Sequence, residues 1–413
     1  MMEKSLLDGD EIEARLIALA QHTSESGRMT RIYGSLEHRT AMQSVSGWMH
    51  EAGMDAHVDA ACNVVGRYEA AGEGAKTLII GSHIDTVKNA GIYDGNLGVI
   101  VGIALVAELS RRKMRMPFAV EVIAFGDEEG VRFGTTLSGS RAVAGQFISS
   151  CLDERDAGGQ SRREMLQSLS CNPDAISQVA RNREDILGYV EVHIEQGPVL
   201  EARNLPLGIV TAINGVSRGE VRVRGMAGHA GTLPMDMRHD ALTAAAEMLL
   251  AVEARGRAEP GLVATVGVLS MPFGAINVVP GEVKFTLDIR SASDANRLVA
   301  VEDIKRAIVR IAAARGVSCE IDMRYEALAA PCDAGFMAGL SRSVAGVGVE
   351  PFELPSGAGH DAMAFRGIWP IAMLFVRCRG GVSHNPKEYA SPADIGQAAR
   401  ALFDFVTDLG VKS

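Results

Sequence analysis

The chain has 413 residues, and its 41 lysine and arginine residues against 51 aspartate and glutamate residues give a formal net charge of −10. Hydrophobic residues make up 47% and charged residues 22%, which excludes an intrinsically disordered protein. The acidic balance argues against a nucleic-acid partner, and no apolar run reaches the roughly 20 residues needed to span a bilayer.

The first residues, MMEKSLLDGDEIEARL, are acidic and contain no apolar signal region, which predicts a protein without a secretory signal. The six cysteines are scattered and include no C-x-x-C pair. This pattern is typical of reduced thiols in a cytoplasmic protein and not of a disulfide framework or a zinc ribbon. We therefore expect a cytoplasmic protein with no membrane partner.

The first half of the chain alternates between strand and helix patterns. Residues 77–81 (TLIIG) and 118–125 (FAVEVIAF) are short apolar runs typical of buried parallel strands, and residues 97–112 between them predict a buried helix. This succession predicts an α/β catalytic domain with a mostly parallel sheet flanked by helices.

Near residue 211 the pattern changes to the order β-α-β-β-α-β. The predicted elements are strands at 219–225, 262–270, 282–290 and 318–325, and helices at 239–255 and 294–315. This order predicts an inserted α+β ferredoxin-like domain at residues 212–330. Residues 1–211 and 331–413 then form one discontinuous catalytic domain, which ends in a buried strand at 370–376 and a helix capped by Ser391.

Several metal-binding residue types follow predicted strands or lie in glycine-rich turns. They are His83, His193, His360, His384, Asp85, Asp94, Glu128 and Glu129. Because ligands of open α/β sheets gather at the carboxyl ends of the strands, we expect these side chains to form one site.

Histidine and carboxylate donors together suit zinc, manganese, cobalt or nickel. A pair of ions needs a bridging carboxylate, and Asp94 could bridge, with His83 and His193 on one ion and Glu129 and His384 on the other. We therefore expect two divalent metal ions per chain.

Two further carboxylates have predicted supporting roles. Asp85, two residues after His83, could orient the imidazole ring through its carboxylate. Glu128, beside the metal ligand Glu129, is predicted to be the general base.

Seven motifs occur in order between residues 81 and 389: GSHIDTV, YDGNLGV, DEEGVRFG, EVHIEQGPVLE, GHAGTLPM, SGAGHDAM and GVSHNPKEY. With them the sequence resembles the hydantoinase/carbamoylase family of dinuclear-metal amidohydrolases, which is related to the M20 peptidases. Members of that family include N-carbamoyl-L-amino acid hydrolases and allantoate amidohydrolase.

The resemblance implies the same five metal ligands and the same base. It also implies that His229 stabilises the oxyanion, that Asn277 and Arg290 bind the substrate carboxylate, and that Gln196 and His360 contact the substrate. It further implies that the 212–330 domain is a lid and forms the contact of a homodimer.

We therefore expect metal-dependent hydrolysis of the terminal carbamoyl (ureido) C–N bond of an N-carbamoyl-L-amino acid or related ureido acid, with release of ammonia and carbon dioxide. Allantoate or ureidoglycolate is an alternative substrate for the same machinery. More distant alternatives are an M20-type dipeptidase or deacylase and a non-catalytic binding homologue. The complete ligand set together with Glu128 argues against the last of these.

Overall fold

The computed structural model describes residues 5–412, which include helical and extended segments throughout. The α-helices within this range are α1 Gly9–Leu19, α2 Leu36–Glu51, α3 Asn96–Arg111, α4 Ser138–Val143, α5 Arg162–Ser168, α6 Val199–Ala202, α7 Ala241–Arg257, α8 Asp294–Arg315, α9 Ala334–Gly346 and α10 Pro392–Lys412. The strands are β1 Asp55–Val58, β2 Val64–Tyr68, β3 Thr77–His83, β4 Ala119–Phe125, β5 Ile186–Ile194, β6 Leu207–Ile213, β7 Gly215–Arg224, β8 Gly228–His229, β9 Leu262–Thr265, β10 Leu269–Ser270, β11 Val278–Val279, β12 Glu282–Ser291, β13 Ser318–Ala327, β14 Ala330–Pro331, β15 Glu353–Ser356 and β16 Ile371–Val376.

The chain divides into two compact units. The larger unit contains the described residues up to 211, residues 331–354 and the described residues from 358 onward. The smaller unit contains residues 212–330 together with residues 355–357. These last three residues were expected in the catalytic domain. They group with the smaller unit because the Asn214 amide donates to the Ser356 carbonyl at 2.9 Å and Arg290 donates to the Gly357 carbonyl at 2.7 Å.

The larger unit is built on a sheet in the order β1-β2-β4-β3-β5-β16-β6-β14, with β15 paired to β6. The four central strands β4, β3, β5 and β16 are parallel, as the apolar runs at 77–81 and 118–125 predicted for β3 and β4. The pairs β1–β2, β2–β4 and β16–β6 are antiparallel. The sheet is therefore mixed, and the prediction of a mostly parallel sheet is corrected at its two flanks.

Helix α3 is the buried helix predicted at 97–112, and it packs on β3, β4 and β5. Its Glu108 side chain is buried and accepts hydrogen bonds at 2.7 Å from both Arg111 and Arg112. The hydrogen bonds from Arg111, against the opposing effect of burial, lower the pKa of Glu108 to about 2.

The smaller unit carries an antiparallel sheet in the order β10-β12-β7-β13, with β9 also paired to β12. Taken in chain order, β7, β9, β12 and β13 with helices α7 and α8 give the split βαβ arrangement that the order of patterns predicted. Alternate residues of β12 point into the core, where Val283, Phe285, Leu287 and Ile289 are buried against the two helices.

Among residues 5–412, no helix combines the length and the apolar character that crossing a bilayer requires.

We predict that Glu108→Gln lowers the free energy of unfolding by about 2 kcal/mol at pH 7, because the bonds from Arg111 and Arg112 lose their charged acceptor. A carboxylate with a lowered folded-state pKa stabilises the fold above its unfolded pKa of 4.5, and this stabilisation is lost as the pH falls toward about 2. Urea unfolding of both proteins at several pH values measures the difference. A difference that stays constant from pH 7 to pH 3 would contradict the assignment.

Candidate metal centre and active site

The acidic and histidine side chains collect at the carboxyl ends of the central parallel strands. His83 is the last residue of β3 and His193 lies next to the end of β5. Glu128 and Glu129 follow β4, and Asp94 precedes α3. The side chains lie close enough that groups of three can offer ligand atoms within 4.8 Å of one another. This edge of the sheet is where the sequence predicted the site.

Asp94 lies between the histidines. Its Oδ1 atom is 3.5 Å from His83 Nε2 and 3.2 Å from His193 Nε2, whereas its Oδ2 atom is 3.4 Å from His384 Nε2. His384 Nε2 is also 3.4 Å from Glu129 Oε1. The two oxygens of one carboxylate thus face two separate groups of donors, which is the arrangement that a bridging ligand needs.

Backbone carbonyls hold the two buried imidazole rings. His83 Nδ1 lies 2.9 Å from the Asp85 carbonyl, and His193 Nδ1 lies 2.8 Å from the Ile194 carbonyl. Because a carbonyl only accepts, each Nδ1 carries a proton and each Nε2 is turned toward Asp94. The Gly95 amide also donates to His193 Nε2 at 3.2 Å, which agrees with an unprotonated Nε2.

The carboxylates around these rings require positive charge to neutralise them. Burial lowers the pKa of His83, but Asp94 and Glu128 outweigh it and hold the pKa well above its ordinary value. Burial would raise the pKa of Asp94, but His193, His384 and His83 hold it well below its usual range. Protons or cations must therefore neutralise the cluster, and its mixture of imidazole and carboxylate donors fits a divalent cation such as zinc or manganese.

Asp85 acts differently from the prediction that its carboxylate orients His83. The carboxylate is 3.9 Å from His83 Nδ1, and the nearer contact to the ring comes from the Asp85 backbone carbonyl. The two carboxylate oxygens instead accept the amide hydrogens of Glu128 at 3.2 Å and Glu129 at 3.3 Å. Asp85 therefore fixes the turn that presents both glutamates, while its backbone orients the histidine.

Glu128 has the environment of a general base. Burial raises its pKa well above the ordinary range, the charge on His83 opposes this, and the carboxylate of Glu129 adds to it. Its Oε2 atom lies 3.9 Å from His83 Nε2. A carboxylate with a raised pKa at the edge of this histidine and carboxylate cluster can accept a proton from water and release it again.

The backbone conformation and the close packing at position 95 both require glycine. Its φ angle is +67°, in the left-handed region, and a Cβ atom built on it would lie 2.4 Å from the His83 ring. The glycine that follows Asp94 in the YDGNLGV motif therefore leaves room for the His83 ring.

Gln196 and His360 also lie in the larger unit. Gln196 Nε2 donates to Asp94 Oδ2 at 2.7 Å, and its Oε1 atom is buried without a hydrogen-bond partner in the described part of the chain. The His360 ring packs edge-on against His193, with the ring centroids 4.5 Å apart. Burial holds the pKa of His360 well below its ordinary value, which favours the neutral ring.

The remaining predicted residues belong to the smaller unit. His229 and Asn277 are brought together there, because β8 pairs with β11 and the Ala230 amide donates to the Asn277 carbonyl at 2.9 Å. His229 Nδ1 accepts from the Gly231 amide, which leaves its Nε2–H as a donor. Arg290 at the end of β12 makes two bonds to Asp288, at 2.7 and 3.0 Å.

Sequence reasoning missed Glu388 and Ser383. Glu388 Oε1 accepts the amide hydrogens of Tyr93 at 2.8 Å and Asp94 at 2.9 Å, and Ser383 Oγ lies 2.5 Å from Asp94 Oδ2. Burial raises the pKa of Glu388 to about 7. Both residues flank His384 in the GVSHNPKEY motif, so the available signal was their proximity to a selected ligand.

Sequence reasoning also missed Arg31, which is fully buried. Its guanidinium donates to the Ile84 carbonyl at 2.7 Å and to Asn96 Oδ1 at 2.5 Å. Asn96 in turn donates to the Asp94 carbonyl at 3.1 Å. Arg31 therefore connects the loop after His83 to the loop of Asp94, and no local motif marks this single arginine.

Comparison with known proteins identifies the family. The model of peptidase family M20/M25/M40 matches residues 79–408. The chain belongs to the M20 peptidase family. This M20 enzyme is 41% identical to a probable allantoate deiminase from Oryza sativa subsp. japonica, over 96% of this chain and 88% of that protein. It is 37% identical to an N-carbamoyl-L-amino acid amidohydrolase from Geobacillus stearothermophilus, over 98% and 99% of the two chains.

Solved structures agree with the sequence relatives. A hydantoinase/carbamoylase family amidase from Burkholderia multivorans superposes on this M20 enzyme with a TM-score of 0.92 at 29% identity, covering 97% of each chain. The resemblance seen in the sequence motifs is thereby confirmed, and the chain is a hydrolase of C–N bonds.

We predict that Asn96→Ala weakens divalent metal binding about 10- to 100-fold, because the Asp94 loop loses its connection to Arg31. Titration calorimetry of the metal-free protein with zinc measures the change. Asn182→Ala, which removes an exposed side-chain amide that donates to Asp185, is the matched control. Equal affinities for the wild type and Asn96→Ala would show that this connection does not position Asp94.

Proposed function

We propose that this M20 enzyme hydrolyses the terminal carbamoyl C–N bond of a small ureido acid, in the first instance an N-carbamoyl-L-amino acid, with two divalent metal ions. The observation that carries the proposal is Asp94, whose two oxygens face different histidines beside a buried glutamate. In the overall reaction R–NH–CO–NH₂ and one water give R–NH₂, carbon dioxide and ammonia. The names of the relatives from Oryza sativa and Geobacillus stearothermophilus support this substrate class.

The metal ions belong to the proposal. His83, His193, Asp94, Glu129 and His384 would hold them, and the donor set admits zinc, manganese, cobalt or nickel. Ions bound there would supply Lewis-acid activation of water and of the ureido carbonyl. The carbonyl contacts on the two Nδ1 atoms keep the Nε2 atoms available for this purpose.

Glu128 moves the proton. Its carboxylate takes a proton from the attacking water and then delivers it to the nitrogen that leaves the ureido carbon. Burial supports the first half of this role, because it raises the pKa of Glu128 and so makes the carboxylate a better proton acceptor. The bonds from the Glu128 and Glu129 amides to Asp85 hold the base in place during the transfer.

Gln196 recognises the ureido group. Its Nε2 atom is committed to Asp94, so its Oε1 atom must point elsewhere. That oxygen is buried without a hydrogen-bond partner among the described residues, and a buried acceptor left unpaired is costly. A ureido N–H of the substrate would satisfy it, whereas an ester or a plain ketone would not.

The other substrate roles rest on the family resemblance. His229, whose Nε2–H is a donor, would stabilise the oxyanion, and His360 would contact the substrate. Asn277 and Arg290 would bind the substrate carboxylate, for which a planar guanidinium is well suited. Arg290 would then keep Asp288 as a partner that orients it.

We predict that Glu128→Gln lowers kcat about 10²- to 10⁴-fold, because the amide cannot accept the proton from water. Metal analysis of the purified variant should give the wild-type metal content, since Glu128 is not one of the five proposed ligands. Glu69→Gln, an exposed carboxylate paired with Arg67, is the control and should retain full turnover. Wild-type kcat in metal-loaded Glu128→Gln would remove Glu128 from the mechanism.

A substrate panel tests the proposed function. The metal-loaded enzyme is offered N-carbamoyl-L- and D-amino acids, N-carbamoyl-β-alanine, allantoate, ureidoglycolate, an N-acetyl amino acid and a dipeptide, and release of ammonia and amine is measured. We expect ammonia from ureido acids only. Allantoate is the second candidate because the relative from Oryza sativa is the more similar of the two reported, and preference for it would name that activity. Turnover of the acetyl compound or dipeptide alone would overturn the ureido proposal and the role of Gln196.

We also propose that the smaller unit is a lid and the contact surface of a homodimer. Its exposed apolar side chains, which support this, include Met235, Met237, Phe273 and Ile276. Light scattering should give twice the chain mass of 43.8 kDa. The double substitution Phe273→Ser/Ile276→Ser should shift the mass toward the monomer. A wild-type mass of one chain would contradict the dimer.

A further inference from the structure

Two cysteines lie together outside the metal cluster. The Sγ atoms of Cys62 and Cys171 are 2.6 Å apart, although 109 positions separate the residues in sequence. Cys62 lies in the turn between β1 and β2, and Cys171 lies in the loop after α5. All six cysteines are free thiols, and the proposed hydrolysis uses none of them. The sulfur atoms need only a small movement to reach bonding distance.

Both cysteines are attached to segments that support the turn carrying the base. Asn63, next to Cys62, accepts the Gly126 amide hydrogen at 3.1 Å and donates to the Gly139 carbonyl at 3.2 Å. Helix α5, which leads to Cys171, begins with Arg162, whose buried guanidinium pairs with Asp127. Gly126 and Asp127 immediately precede Glu128, so the two segments hold the turn from both sides.

The two thiols differ in their exposure to solvent and in their pKa. Cys62 is 1% exposed, whereas Cys171 is partly accessible to solvent. The hydrogen bond from the Cys62 thiol lowers the pKa of Cys171 below its ordinary value, which favours the thiolate at the more accessible sulfur. Cys171 is therefore the group that meets an oxidant first, and Cys62 is placed to resolve it.

We propose that Cys62 and Cys171 are an oxidation site that closes into a reversible disulfide when the enzyme meets a peroxide. The Cys171 thiolate attacks one peroxide oxygen, the O–O bond breaks, and the second oxygen leaves as water after taking a proton. The Cys62 sulfur then attacks the sulfur of the resulting sulfenic acid, and the hydroxyl group leaves as a second water. In sum two thiols and one hydrogen peroxide give one disulfide and two waters, and a dithiol reductant reverses the change.

The disulfide would link the segments of Cys62 and Cys171, which both support the turn that carries Glu128. It would also close a long loop of the chain. Cross-links that close long loops restrict the unfolded chain most strongly, so we expect the oxidised enzyme to melt roughly 5 °C higher than the reduced one. A reducing compartment keeps both thiols free, and peroxide exposure converts the enzyme to the more stable form.

The test is peptide mapping of the intact wild-type protein treated with hydrogen peroxide. After alkylation of free thiols and trypsin digestion, we expect peptide 40–67 linked to peptide 164–181, with the loss of two hydrogens. Ellman titration of the denatured protein should fall from six thiols to four. Treatment with dithiothreitol should restore six thiols and the original melting temperature.

Variants separate this pair from the other thiols. Cys171→Ser should abolish both the linked peptide and the rise in melting temperature, and Cys62→Ala should do the same. Cys319→Ser, which changes a partly buried cysteine of the smaller unit, should preserve both. Recovery of Cys62 and Cys171 as separate alkylated peptides after peroxide treatment, or a cross-link to another cysteine, would overturn the proposal without reference to any variant.

Discussion

The position of one carboxylate, Asp94, between histidines that come from distant parts of the chain is the constraint on which the site depends. Its Oδ1 atom faces two rings from the parallel strands β3 and β5, and its Oδ2 atom faces His384, which follows β16. Parallel strands end at the same edge of a sheet, so the central strands bring these donors together. Hydrogen bonds with neighbouring residues hold Asp94 there despite the cost of burying its charge.

Hydrogen bonds also hold the backbone of the segments that carry Asp94, Glu128 and Glu129. Glu388 accepts the Asp94 amide hydrogen, and Asn96, itself held by buried Arg31, donates to the Asp94 carbonyl. Asp85 accepts two amide hydrogens from the glutamate turn. Because buried polar groups that lack partners are strongly unfavourable, these contacts stabilise the conformations of the loops. They also make the geometry sensitive to residues that touch neither metal nor substrate.

The sequence predicted the features that local patterns encode. The apolar runs around β3 and β4 and the alternation in β12 identified buried and half-buried strands, and the residues following them identified the cluster. Features that depend on contacts between distant parts of the chain could not be predicted from local patterns. One antiparallel flank of the sheet depends on the short strands β1 and β2, which carry little pattern of their own. Arg31 acts through contacts 53 and 65 positions away, and nothing near it in sequence marks that role.

The role of Asp85 shows the same limit at the level of single atoms. Its spacing from His83 predicted a supporting contact from the carboxylate, but spacing cannot distinguish a backbone carbonyl from a side-chain carboxylate. The turn after β4 determines what the Asp85 carboxylate binds, because it places two amide hydrogens within reach of that carboxylate. The structure shows that the Asp85 carbonyl contacts the His83 ring, whereas the Asp85 carboxylate supports the turn that carries Glu128.

The central claim is that Asp94 bridges two metal ions. Crystals of the enzyme grown with manganese, with anomalous diffraction recorded on both sides of the metal absorption edge, test it directly. The account predicts two anomalous peaks about 3.5–4 Å apart, one beside each oxygen of Asp94. A single peak, or two peaks that do not share Asp94, would contradict it.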